Sequence, residues 1–180
     1  MIHETVMWVF SFVCHQEAAR TWAPGGVPLA LCQRCTGVYA GSALMLLLLP
    51  WMCFRPSRFT GALHTVLILQ MVFFTGHLLP HPASVRTLSG QVFIAGVYYF
   101  VWTHLSVRIG LTRDDRSPRA YGIGLLAALL ILQGLVHAPF RWAAPVLELL
   151  SLIGVLGLLI AVAATIADLA LHSRYRRSAR

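Results

Sequence analysis

The chain has no lysine, and charge of either sign is scarce: six acidic residues in 180, with 11% charged in total. A soluble domain carries about a quarter charged residues, so this scarcity excludes a water-soluble globular protein. The formal charge of +8 rests entirely on arginine. A basic balance can indicate a nucleic-acid partner, but no separate soluble domain is present to hold a duplex, and nucleic acid is set aside. Basic residues are also missing from the opening Met1-Ile2-His3-Glu4, and the apolar Val6–Val13 stretch is short for a signal-peptide core. Ser11-Phe12-Val13-Cys14 lacks the small residues of a lipoprotein cleavage site. The N-terminus is therefore expected to be retained as a short apolar or re-entrant segment. The sequence shows no internal repeat and no low-complexity tract.

Hydrophobic residues make up 58% of the chain, in runs near the ~20 residues needed to cross roughly 30 Å of hydrocarbon. The fold class expected is all-α: a polytopic transmembrane helix bundle of about five spans. They run over Thr36–Cys53, Gly61–Leu79, Leu88–Val107, Tyr121–Phe140 and Pro145–Leu171, separated by stretches rich in Pro, Arg or Asp. Residues 1–180 then form one integral membrane domain. It comprises a Cys/His-containing outer segment (1–35), the bundle (36–171) and a basic tail (172–180), with the lipid bilayer as its partner. Alternating the loops puts ten arginines on one side and four on the other. The arginine-rich side is expected to be cytoplasmic, with the C-terminus there and the cysteine motifs at the outer face of the cell membrane. Gly37 and Gly41, with Ala40 and Ser42 beside them, form a small-xxx-small face for close helix approach. Gly122 with Gly124, and Gly154 with Gly157, offer similar faces, through which the chain could also form a homodimer.

The residues with chemistry gather early. Cys14-His15 is followed by Cys32-Gln33-Arg34-Cys35, and thiolate and imidazole ligands at short spacings are what a tetrahedral zinc site needs. Cys32 and Cys35 make one jaw; Cys14 or His15 begins the other. His15, His77, His81 and His137 are the candidates for a fourth ligand. The plainer readings are a buried cysteine as an ordinary core residue, which is how Cys53 is taken, and His77 and His81 as interfacial polar groups. His137 and Glu148 stand at similar depth across a short turn, where a hydrogen bond between them would tie two spans together.

Cys14-His15-Gln16, Arg20-Thr21-Trp22, Cys32-Gln33-Arg34-Cys35-Thr36-Gly37, Tyr39 and Gly41 together resemble the bacterial and archaeal predicted membrane proteins grouped as domain of unknown function 2085. The resemblance is tight over residues 14–41, continues loosely to about Gly96 and fades beyond. It implies a small multi-pass protein whose function centres on Cys14, His15, Cys32 and Cys35. Arg20 and Arg34 would pair with a ligand's anion or brace the cysteine loops. Relatives carry an acid before a glycine in the second span, where this chain has Thr75-Gly76, so no role is carried over from that acid.

Three functional readings follow. The first is a metal-binding membrane protein, with zinc (or iron or copper) held by Cys14, Cys32, Cys35 and a histidine. The second is a membrane thiol–disulfide oxidoreductase, because Cys-x-x-Cys at a helix start has a lowered thiol pKa. Cys14 would be its resolving partner and a quinone its electron acceptor. The third is a small-solute transporter in which Arg20, Arg34, Arg86 and His137 guide an anion. Whether the protein is an enzyme is left open.

Overall fold

The computed structural model describes residues 2–75, 81–112 and 118–178, and within them the chain is helical with no strand. Six helices follow one another: α1 (Ile2–Ser11), α2 (Gln33–Leu48), α3 (Arg58–Thr75), α4 (Ala83–Arg108), α5 (Pro118–Val136) and α6 (Ala143–Ser178). Short 3-10 turns occupy Ala18–Arg20, Pro24–Gly26 and Leu49–Met52.

The boundaries have local causes. Pro50 tightens the end of α2 into the Leu49–Met52 turn, since proline removes a helical N–H donor. α3 starts at a reciprocal cap: the Thr60 amide donates to Ser57 Oγ at 3.1 Å, and the Ser57 amide to Thr60 Oγ1 at 3.0 Å. Pro118 opens α5 at the first helical position, where its missing N–H costs nothing. α5 ends at Val136, short of the expected Phe140, because the residue before Pro139 is pushed out of helical geometry.

Gln33–Met52, Pro118–Val136 and Ala143–Leu171 are long and apolar enough to cross a membrane, and Arg58–Phe73 of α3 is a shorter apolar helix. α4 would reach about 39 Å at 1.5 Å per residue. It carries Arg86 and Arg108 near its ends and buries Thr87, Ser89 and Gln91.

α2 is the hub. It packs against α4, α5 and α6, while α3 docks on the far side of α4. The glycine faces are what bring the helices this close: a Cβ at Gly37 would strike the Thr87 carbonyl, one at Gly90 the Arg34 carbonyl, and one at Gly154 the Tyr39 carbonyl. Gly37, Gly41 and Gly154 are thus occupied inside the chain, whereas a Cβ at Gly122 would meet nothing within 4 Å. The core along α2 includes Ala40, Leu44, Met45, Ile94, Tyr98, Leu132 and Leu147.

Several polar groups inside this core are matched, while Gln91 Oε1 and the Trp102 indole N–H are buried without a hydrogen-bond partner. Ser42 Oγ lies 2.9 Å from both the Tyr98 hydroxyl and the Gly154 carbonyl oxygen. His64 is buried with its ring stacked on Tyr99, centroids 3.9 Å apart. Its Nδ1 is 2.7 Å from the Thr60 carbonyl and its Nε2 is 2.9 Å from the Tyr121 hydroxyl. A carbonyl only accepts, so Nδ1 carries the proton and Nε2 accepts from Tyr121.

The outside is apolar. α3 exposes Val66, Leu69 and Phe73, α5 exposes Ile123, Leu126 and Leu130, and α6 exposes Leu149, Leu156 and Ile160. Water would penalise such continuous apolar faces; a hydrocarbon solvent does not.

Candidate metal centre

Three thiols meet at the end of the bundle where α2, α4 and α6 begin. α1 stops at Ser11, and the amides of Val13 and Cys14 close on the Phe10 carbonyl at 3.1 and 2.9 Å. Gln16 then takes a left-handed φ of 50°, uncommon for a residue other than glycine. That turn aims its amide at Cys14 Sγ, 3.4 Å away. Its side chain holds the turn in place, with Nε2 donating to the Met7 carbonyl at 2.6 Å.

The chain loops out and returns so that Thr21 and Cys32 form an antiparallel bridge. Trp22 pins this loop to the bundle: its indole donates to Thr87 Oγ1 at 2.7 Å, and Thr87 donates to the Gln33 carbonyl at 2.9 Å. Cys32 stands at the N-cap of α2 in extended geometry. The Thr36 amide and hydroxyl both donate to its carbonyl, at 2.9 and 3.1 Å. Cys35 follows one turn on, on the same face as Cys32 by its i, i+3 spacing. Each member of the Cys-x-x-Cys-Thr-Gly run therefore has a task. The thiols point to one place, Thr36 fixes the cap, and Gly37 admits the backbone of α4.

The Sγ atoms of Cys14, Cys32 and Cys35 all lie within 4.8 Å of one another, and none forms a disulfide. Three sulfurs on one tetrahedral ion with bonds of about 2.3 Å would stand about 3.8 Å apart. A small closure of the trio would therefore suffice. An all-thiol donor set selects soft or borderline ions such as zinc, copper(I) or iron.

The Cys14 thiol is held far below the ordinary thiol range. Hydrogen bonds with the Cys32 and Cys35 side chains are the main cause, and the Cys32 and Gln16 amides add to them. The Cys32 amide is 3.4 Å from Cys14 Sγ. Donating to Cys14 pushes the Cys32 thiol up in turn. The Gln16 and Cys32 amides, each 3.4 Å from Cys14 Sγ, favour negative charge at that sulfur.

The histidines divide. His15 is exposed and, like His81, lines the cavity over the thiols, but neither joins the group of mutually close ligand atoms among the described residues. His137 is engaged elsewhere, with Nε2 at 2.9 Å from Ser84 Oγ and its ring edge-on to Trp22 at 4.8 Å. Glu148 accepts from the Ala30 amide at 3.3 Å. The tie between His137 and Glu148 considered from sequence is thus replaced by two contacts that each anchor the N-terminal loop. His77 lies outside the described residues. Cys53 sits beyond the opposite end of α2, its Sγ 3.6 Å from the Leu49 carbonyl.

The thiols open onto a cavity of about 350 Å³. Arg20, Arg34 and Arg86 line it together with Glu17. Arg20 pairs with Glu17 at 3.2 Å, and Arg86 reaches Gln33 Oε1 at 3.4 Å. The sequence reading missed Gln16 and Glu17 as site residues. For Gln16 the signal was available, as the third member of the Cys-His-Gln run.

An all-helical bundle with apolar outer faces and a polar, thiol-lined mouth is a small membrane protein. Residues 14–101 match the family described as "Predicted membrane protein", domain of unknown function 2085. The matched stretch starts at Cys14 and ends within α4, so it includes the three thiols and all three arginines of the cavity but neither α5 nor α6. Comparison with curated proteins and with solved structures returns no match.

Proposed function

We propose that this protein is a membrane metalloprotein in which Cys14, Cys32 and Cys35 bind one metal ion, zinc first among the candidates, at the outer face of the cell membrane. The observation that carries this reading is the convergence of three thiols from two separate segments to within 4.8 Å. The outward orientation rests on the ten-to-four distribution of arginines. With three protein ligands and a cavity over them, the site has the ligand count of an open zinc centre rather than a closed structural one.

Elemental analysis of protein purified without chelator tests this directly. The expected result is close to one zinc per chain, with thiols that label only after chelation, and loss of most of the metal on Cys14→Ser, Cys32→Ser or Cys35→Ser. The second reading is thiol–disulfide exchange with a quinone as acceptor, supported by the closeness of the three thiols. Against it, the Cys32 thiol is pushed up by its hydrogen bond with Cys14, rather than lowered as expected for a Cys-x-x-Cys pair at a helix start. Metal-free protein with a Cys32–Cys35 bridge, reactive only after reduction, would replace the metal reading by that one.

A further inference from the structure

The cavity over the thiols is charged in a way that the metal alone does not explain. Arg20 comes from a 3-10 turn, Arg34 from the first turn of α2 and Arg86 from the first turn of α4. The latter two placements are unfavourable for the helices themselves. A helix N-terminus carries partial positive charge and prefers acidic residues, yet the first turns of α2 and α4 hold none. Two helix N-termini and three guanidinium groups therefore bring positive potential to one small space.

The formal charges of the residues lining the cavity sum to a net positive value. A divalent ion on three thiolates leaves a single negative charge, and Glu17 adds another. Three arginines exceed these by one. The guanidinium fork matches phosphate and carboxylate oxygens, and convergent arginines are the usual means of holding a phosphate. The cavity volume of about 350 Å³ falls within the range of small-molecule sites, with room for a phosphate and part of what it is attached to.

We propose that the cavity formed by Arg20, Arg34 and Arg86 above Cys14, Cys32 and Cys35 binds a phosphate group as the exogenous ligand of this centre. This rests on the metal reading for the phosphate's place beside the ion, but not for the arginine cradle. The phosphate can belong to free inorganic phosphate or to a lipid headgroup, since the cavity opens where the spans meet the membrane surface.

The test uses the full chain in detergent, loaded with cobalt(II) and, separately, stripped of metal. Each form is titrated with inorganic phosphate and with a short-chain phosphatidylglycerol. Binding is read by calorimetry, and in the cobalt form also by the visible absorption of the ion. Saturable binding of at least one probe is expected in both forms, with a spectral change in the cobalt form. Arg34→Gln and Arg86→Gln should each weaken it by about tenfold or more, the scale of one lost charge-assisted contact. Arg141→Gln, an exposed arginine outside the cavity lining, should leave it unchanged.

Binding of phosphate alone identifies a free anion, and binding of the lipid alone identifies a headgroup; either supports the cradle. A protein that takes no cobalt but still binds through Arg34 and Arg86 would overturn the metal reading and keep this one. A protein that takes cobalt but binds neither probe, or binds them equally well after both arginine replacements, would overturn the cradle and leave the metal. The metal content of Arg86→Gln, expected to match wild type, shows that its thiol site is still assembled.

Discussion

Gln16 shows what the least reactive member of a motif can do. Its left-handed backbone and its bond to the Met7 carbonyl aim an amide at Cys14 Sγ. Gln16→Ala should keep the amide but lose the side-chain anchor, costing about 1 kcal/mol. The expected outcome is weaker zinc retention in competition with a chelator, though less weak than in Cys14→Ser. At the other end of the bundle, Tyr121→Phe removes the donor to His64 Nε2 and leaves a buried acceptor unmatched. A loss of roughly 1–3 kcal/mol is expected, read as a lower midpoint of denaturation in detergent, with zinc content unchanged. The thiols were legible as residues because short spacing and unusual composition suffice to mark a chelate. His64 was not, since its partners Tyr99 and Tyr121 are brought to it from other helices only by folding.

At the level of helices, most spans were legible because apolar runs have few alternatives in a hydrocarbon solvent. Their ends were less so. α2 begins at Gln33 rather than Thr36. Cys32 stands at the N-cap, a position usually recognised by Ser, Thr, Asp or Asn, but makes no side-chain cap. α6 begins at Ala143, two residues before Pro145, since a first helical turn tolerates proline. The Gly37/Gly41 and Gly154/Gly157 faces were correctly read as contact surfaces, whereas a Cβ at Gly122 would meet nothing within 4 Å. The choice of neighbour was not in the sequence. Gly37 faces α4 and Gly154 faces α2. Gly37→Leu should therefore destabilise by at least about 3 kcal/mol, because the Thr87 backbone, unlike a side chain, cannot rotate away. Gly122→Leu has open space and should leave thermal stability in detergent close to wild type. Equal behaviour of the two variants would contradict this account of the α2–α4 crossing.

For the whole molecule, the orientation proposed from the arginine asymmetry can be tested directly. A reporter active only in the cytoplasm should give signal when fused after Arg180 and none when placed at Pro82. The reverse pattern would put the thiol mouth on the reducing side of the membrane. The thiol mouth also has an uneven ancestry along the chain. Its three sulfurs are all present by Cys35, and Thr21 already pairs with Cys32, so these contacts are short-range in sequence and close quickly. Arg86 joins them only when α4 has docked along α2 through Gly37 and Gly90. During synthesis an ion could thus be captured by the nascent N-terminal segment well before the cradle above it exists. On the proposed reading the ion would come first and the anion last, so that occupancy of the mouth by phosphate would report a finished bundle.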